Sequence, residues 1–110
     1  MPRLKFTEHA VQDLREISTY TKKEWGPEQE RRYRQQIELE LQKLSLNAHL
    51  GRSREEVAPG IRSFKVASHI AFYVPGDGEI TIIRLLHPSR DIERAFDRAP
   101  EKFRDQDRQR

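Results

Sequence analysis

The dipeptide Gly26-Pro27 most constrains the fold of this chain, because it separates two segments with helical spacing. Apolar and neutral residues recur at intervals of three and four before it, at Ala10, Leu14, Ile17, Thr21 and Trp25. The same spacing returns after it, at Tyr33, Ile37, Leu41 and Leu44. Glycine can end a helix, and proline suits the first turn of the next one. The sequence therefore predicts an αα-hairpin, with Thr7 as the N-cap of its first helix.

The apolar stripes of such a hairpin must pack on another layer, and the remaining sequence predicts a small sheet. A short strand at residues 3–6 precedes the hairpin, with Leu4 and Phe6 on one side. Three strand-like segments follow it, at residues 61–66, 68–74 and 79–87, and Pro-Gly-Asp-Gly separates the last two. The predicted fold is α+β, a small antiparallel sheet packed against an αα-hairpin. Its order is β-α-α-β-β-β, with a short C-terminal helix or tail.

Both faces of the predicted sheet are substantially apolar. Alternation puts Ile80, Ile82, Arg84 and Leu86 on one face of the last strand, and Thr81, Ile83, Leu85 and His87 on the other. In the preceding strand Ile70, Phe72 and Val74 oppose Ala71 and Tyr73. One face meets the hairpin, so the second must be covered by residues 89–96, by a partner chain, or by both. We expect one domain at residues 1–97 and a charged, flexible tail at residues 98–110.

Composition narrows the possible functions. Hydrophobic and charged residues each make up 35% of the chain, and Lys plus Arg exceed Asp plus Glu by 21 to 18. This mild basic bias suits an acidic partner but falls short of a polycationic nucleic-acid stripe. The absence of cysteine excludes disulfides, thiolate nucleophiles and cysteine-ligated metals. With no signal-like or membrane-sized apolar stretch, the sequence predicts a soluble cytoplasmic protein without membrane association.

Several basic and imidazole groups are candidates for acid-base chemistry on RNA. A ribonuclease needs a proton acceptor, a proton donor and cations that stabilise the phosphorane, and His87, Arg62, Arg84 and Arg90 could supply them. The structural alternative for Arg84 is an ion pair with Glu55, Glu56 or Asp91. For His87 the alternative is a strand-end residue bonded to the backbone.

Other kinds of site have little support in the sequence. The histidines at positions 9, 49, 69 and 87 form no helical i, i+4 pair, so no metal site is predicted. The glycines fall at predicted turns rather than in a phosphate-binding loop, and no cofactor is expected. Trp25 is either a core residue, as its helical phase favours, or an exposed anchor at the hairpin tip.

Several separated motifs, in this order, resemble the ParE branch of the RelE/ParE superfamily of bacterial toxins. They are YTKKEWG before a second helix bearing Tyr33, then LGRSREE, PGIRSF, SHIAFY and IIRLLHPSRD. The resemblance covers residues 4–96. It implies a helical hairpin on a small antiparallel sheet and a growth-inhibiting toxin of a toxin-antitoxin module. It also implies a cognate antitoxin with an extended segment that wraps the toxin.

The superfamily contains two activities: RelE-like members are ribosome-dependent endoribonucleases, and ParE-like members inhibit DNA gyrase. The ending LLHPSRD resembles the gyrase-directed branch, and no tyrosine follows Tyr73. The resemblance therefore predicts a gyrase inhibitor that acts by binding, without catalytic residues and without sequence-specific nucleic-acid binding. Two alternatives stay open, a ribonuclease using Arg62, Arg84 and His87 and a degenerate module that only binds antitoxin.

Candidate contact residues follow from this reading. The candidates for antitoxin binding are basic or aromatic residues of the predicted sheet, namely Arg62, Phe64, Phe72, Tyr73 and Arg84. The candidates for target binding lie at the hairpin tip, at the end of the last strand and just after it, namely Trp25, His87 and Arg90.

Overall fold

A computed structural model describes residues 2–88 and Phe96 of the chain. Its elements are β1 (Arg3–Phe6), α1 (Glu8–Trp25), α2 (Pro27–Leu46), β2 (Arg52–Ser53), β3 (Arg62–Val66), β4 (His69–Gly76) and β5 (Glu79–Leu86). The α+β class and the helical hairpin are confirmed. The strand β2 was not predicted, because its two residues lie in a polar connection with no strand-like pattern.

The predicted junction between the helices is confirmed. Thr7 is the N-cap of α1, and its Oγ1 accepts a hydrogen bond from the Ala10 amide at 3.1 Å. Gly26 has a φ of +93°, a conformation that favours glycine, and its amide donates to the Lys22 carbonyl at 2.9 Å. Pro27 then occupies the first turn of α2, where it loses no helical hydrogen bond.

The five strands form one sheet in the order β1-β5-β4-β3-β2. β1 pairs with β5 in parallel and the other neighbours are antiparallel, so the prediction of a wholly antiparallel sheet was wrong. The reason is β2, which adds one more reversal of the chain before β3. Each later strand therefore runs opposite to the direction that the six-element order implied, and β5 ends parallel to β1.

The core has two parts, one on each face of the sheet. The cluster under the helices contains Ala10, Ile37, Leu41, Leu44, Val66, Ala71, Tyr73, Ile80, Ile82 and Leu85. The cluster on the second face contains Ile61, Phe72, Leu86 and Phe96. The alternation predicted for β4 is confirmed, because Ala71 and Tyr73 lie in the first cluster while Ile70, Phe72 and Val74 contact the second.

In β5 the predicted alternation fails after Ile82. Phe72 pairs with Arg84 but Tyr73 pairs with Ile82, so Ile83 is an extra residue at a β-bulge. The extra residue shifts the parity of the strand, and Leu86 packs on the second face although Ile80 and Ile82 pack under the helices. A single inserted residue has this effect because side chains alternate with a period of two.

Phe96 covers part of the second face. Its ring contacts that of Phe72 edge to face, with 5.0 Å between centroids, and it is buried. The prediction that residues 89–96 contribute to this cover is confirmed for Phe96. Arg90, Asp91, the proposed boundary at residue 97 and the tail at 98–110 lie outside the described residues. Within the described part of the chain, neither helix is long and apolar enough to cross a membrane.

Candidate functional site

The guanidinium of Arg84 is buried in a pair with Asp13 of α1. Its Nε donates to Asp13 Oδ2 at 2.8 Å and its Nη2 donates to Oδ1 at 3.0 Å. The Leu85 amide also donates to Oδ2, at 2.9 Å. The structural alternative for Arg84, an ion pair, is confirmed. Its predicted partners were wrong, because the carboxylate comes from a helix 71 positions away in the chain.

Two of the carboxylates proposed for Arg84 have other contacts. Glu56 Oε2 accepts from Arg54 Nε at 2.7 Å, and Glu55 Oε2 accepts from the Gly60 amide at 2.7 Å. Both belong to the loop before β3. They therefore organise this loop rather than the end of β5.

Arg62 binds the connection between α2 and β2. Its Nε donates to the Gly51 carbonyl at 3.0 Å and its Nη2 donates to the His49 carbonyl at 3.2 Å. The Tyr73 hydroxyl accepts from the Gly51 amide and donates to the Ala48 carbonyl, both at 2.9 Å. A Cβ at Gly51 would lie 2.4 Å from the Ser63 carbonyl oxygen, so only glycine fits here. Arg62 and Tyr73 thus hold this connection against β3.

The structure does not bring the three candidate catalytic residues together. Arg62 pairs with Tyr73, which pairs with Ile82, whereas His87 follows the end of β5. Four to five residues of β5 separate His87 from the position level with Arg62, which is roughly 15 Å along the strand. Since the guanidiniums of Arg62 and Arg84 also have partners within the chain, these three described residues do not form a phosphate site.

The predicted contact residues differ in their accessibility. Phe72 and Tyr73 are fully buried, and Arg84 is 7% exposed, so these three candidates for antitoxin binding lie inside the fold. Arg62 and Phe64 are half-buried.

Trp25 is 70% exposed at the end of α1, so the core interpretation was wrong and the exposed position at the hairpin tip is confirmed. Thr21, one turn earlier, is the last buried residue of α1.

An apolar groove of about 340 Å³ lies between α1, α2 and β1. Its lining is mainly the aliphatic and aromatic residues Leu4, Phe6, Leu14, Ile17, Ile37 and Leu41, with Arg34, Glu38 and Gln42 from α2. The sequence showed the helical residues among them as apolar stripes, because periodicity marks a buried face without showing whether two facing stripes meet. In the structure they leave a groove beside β1, which is an edge strand of the sheet.

Glu30 lies at one end of this groove and is almost fully buried. Its Oε2 accepts from the Ser18 hydroxyl at 2.8 Å and from Arg34 Nε at 3.2 Å. The bond from Ser18 lowers the pKa of this carboxyl below its usual value, and the charge of Arg34 acts in the same direction. Glu30 therefore ties α1 to α2 as a carboxylate.

A second depression of about 440 Å³, which we call the histidine pocket, lies where α1 passes the start of β4 and the end of β5. It is lined by Asp13, Glu16, Ile17, Tyr20, Thr21, His69, Leu85 and His87. The rings of His69 and His87 meet edge to face with centroids 5.5 Å apart. In the described residues, no three histidine or acidic side chains are grouped closely enough to hold a metal ion.

The surroundings of His69 favour its neutral form. Its Nδ1 lies 2.7 Å from the Tyr33 hydroxyl, which accepts from the Ser68 amide at 2.9 Å. All three groups are satisfied when the hydroxyl donates to Nδ1, an assignment that puts the imidazole proton on Nε2. Burial lowers the pKa of His69 and the neighbouring His87 lowers it further, against an opposing effect of Asp13. The sequence missed this contact because 36 positions separate Tyr33 from His69.

A family model and two relatives assign the chain to the same protein family. The sequence model of the family described as ParE toxin of type II toxin-antitoxin system, parDE, matches residues 4–92. Toxin ParE1 of Mycobacterium tuberculosis is 34% identical over 82 residues, which are 74% of this chain and 84% of the relative. Toxin ParE of Escherichia coli is 32% identical over 87 residues, which are 78% and 84% of the two chains.

A solved structure of the chromosomal ParDE TA system from P. aeruginosa has a similar fold. Its matching chain superposes with a TM-score of 0.69 and 28% sequence identity, covering 79% of this chain and 96% of that one. The match spans most of both chains and agrees with the family assignment from sequence. The resemblance inferred from the motifs is therefore confirmed, and the chain belongs to the ParE toxin family of type II toxin-antitoxin systems.

Proposed function

We propose that this toxin inhibits DNA gyrase in the cytoplasm by binding it, without catalysis, and that a cognate antitoxin neutralises it. The observation that carries the proposal is the arrangement of the candidate catalytic residues. Arg84 is paired with Asp13, Arg62 binds backbone carbonyls, and His87 lies roughly 15 Å from the level of Arg62. Acid-base cleavage of RNA needs these groups around one phosphate. A binding surface has no such requirement.

The first test measures supercoiling of relaxed plasmid by gyrase while purified toxin is titrated in. We expect inhibition, and we expect the substitution His87→Ala to raise the half-inhibitory concentration by no more than about tenfold, the range of one interface contact. If His87 were instead the proton-transfer residue of a nuclease, its loss would lower the rate of RNA cleavage by about 10²–10⁴-fold. A folded toxin that leaves gyrase active and cleaves mRNA on ribosomes would contradict the proposal in favour of the nuclease activity.

The apolar groove supplies the antitoxin site of this proposal. An apolar helix or strand from the antitoxin would fill the space between α1, α2 and β1, adding contacts to Leu14, Ile17 and Ile37. Among the described residues no strand pairs with the outer edge of β1, so an extended segment could also add to the sheet there. The exposed Arg3 and Lys5 on β1 favour an acidic segment.

Adding bulk to the groove tests this site. Gln42 lines the groove and is exposed, whereas Gln35 is exposed on the same helix but does not line it. We expect Gln42→Trp to inhibit gyrase as the parent does, but to need at least about tenfold more antitoxin for release of gyrase, because the indole takes up part of the groove. Gln35→Trp is the matched control and should respond to antitoxin normally. Equal release of gyrase with both variants would place the antitoxin elsewhere.

A further inference from the structure

Helix α1 presents two different surfaces on either side of Ile17 and Thr21. These two residues line both the groove and the histidine pocket, so they form a wall between them. On the groove side Leu14 and Ser18 follow, and on the other side Asp13, Glu16 and Tyr20 line the histidine pocket. The pocket is thus a surface with its own chemistry, on a face of α1 adjacent to the one that lines the proposed antitoxin site.

The ionisable groups of the histidine pocket differ in whether a ligand could pair with their charge. Both carboxylate oxygens of Asp13 accept bonds from Arg84, and Oδ2 also accepts from the Leu85 amide, so this charge is compensated inside the fold. Burial lowers the pKa of His69, which favours its uncharged form. The carboxylate of Glu16 is exposed at the mouth, where Oε2 accepts from Gln12 Nε2 at 3.3 Å. An acidic group therefore faces solvent at this mouth.

Tyr20 lies beside that carboxylate. Glu16 and Tyr20 are four positions apart on α1, so their side chains are neighbours on one helix face. Tyr20 is 63% exposed, so its ring is accessible to a partner. A carboxylate next to an aromatic face is a combination that binds a guanidinium or ammonium group, through charge and through the cation-π interaction.

We propose that the histidine pocket binds an arginine or lysine side chain of the target protein, between the Glu16 carboxylate and the Tyr20 ring. The inference rests on the proposed function, since it names the surface with which the toxin contacts gyrase. The proposed antitoxin site and the histidine pocket then carry charges of opposite sign. The edge strand beside the groove carries Arg3 and Lys5 and suits an acidic antitoxin, while the mouth of the histidine pocket carries Glu16 and suits a basic target segment.

The test compares two charge reversals on one helix in the gyrase supercoiling assay. Glu16→Lys should raise the half-inhibitory concentration at least about tenfold, because it replaces attraction for a cation by repulsion. Glu24→Lys is the matched control, an exposed glutamate eight positions along α1 that does not line the pocket, and should stay within about twofold. Tyr20→Ala should weaken inhibition about fivefold, and Tyr20→Phe should retain it because the ring face is kept.

Antitoxin binding and thermal unfolding separate the possible failures. We expect Glu16→Lys to bind the cognate antitoxin and to unfold as the parent does, because the substituted side chain is exposed and lies outside the groove. Equal inhibition by the Glu16→Lys and Glu24→Lys variants would overturn the pocket while leaving gyrase inhibition intact. Parent toxin that does not inhibit gyrase at all would overturn the proposed function together with this inference.

Discussion

Replacing Asp13 by alanine is expected to lower the free energy of unfolding by about 3–5 kcal/mol, because it leaves the buried Arg84 guanidinium without its counter-charge. The Leu85 amide loses its acceptor in the same change. For a domain of this size such a loss approaches the whole stability. We therefore expect the Asp13→Ala variant to be largely unfolded at 37 °C.

Urea unfolding followed by circular dichroism measures this effect. Glu16→Ala is the control for stability, since it removes an exposed carboxylate from the same helix and should change the free energy of unfolding by less than about 0.5 kcal/mol. The double substitution Asp13→Leu with Arg84→Met should recover part of the loss, because no unpaired charge then stays buried. A loss below about 1 kcal/mol for Asp13→Ala would show that the pair is solvated and that α1 does not depend on it.

Replacing Phe96 by alanine is expected to cost about 3 kcal/mol, because the ring is buried against Phe72 on the second face of the sheet. The change would also uncover apolar surface around Ile70, Val74 and Ile83, which contact the same cluster. We expect a lower unfolding midpoint and a greater tendency to aggregate.

The same urea experiment tests this prediction, with Trp25→Ala as its control. Trp25 is a larger aromatic residue but is 70% exposed, so its removal should cost less than about 0.5 kcal/mol. If Phe96→Ala and Trp25→Ala cost equally little, Phe96 does not cover the sheet in solution. The second face would then need a partner chain, which was the other possibility that its apolar pattern allowed.

Much of the fold could be predicted from local signals. Gly26-Pro27 marked the junction of the helices, Thr7 marked the start of α1, and the alternation in β4 placed Phe72 and Tyr73 on opposite faces. These predictions succeeded because capping, proline geometry and strand alternation depend on a few adjacent residues. The motifs were also sufficient to indicate the family that the comparisons confirmed.

The candidate site was less predictable, because its contacts join residues far apart in the chain. The sequence offered Glu55, Glu56 and Asp91 as partners for Arg84, whereas the structure pairs it with Asp13 of α1. Tyr33 and His69 meet across 36 positions with no spacing rule that would indicate it. The partner of a buried polar group is chosen by how the layers pack, which local patterns do not encode.

By itself, the sequence determined the helical hairpin, the strands β1 and β3–β5, the family and the absence of cysteine chemistry. The tertiary structure decided the direction of β1 relative to β5, through the extra reversal at β2, and the face of Leu86, through the bulge at Ile83. It also decided which apolar stripes meet and which leave a groove. The physical reason is range: backbone conformation follows neighbouring residues, whereas register, burial and open surface follow the packing of whole elements against one another.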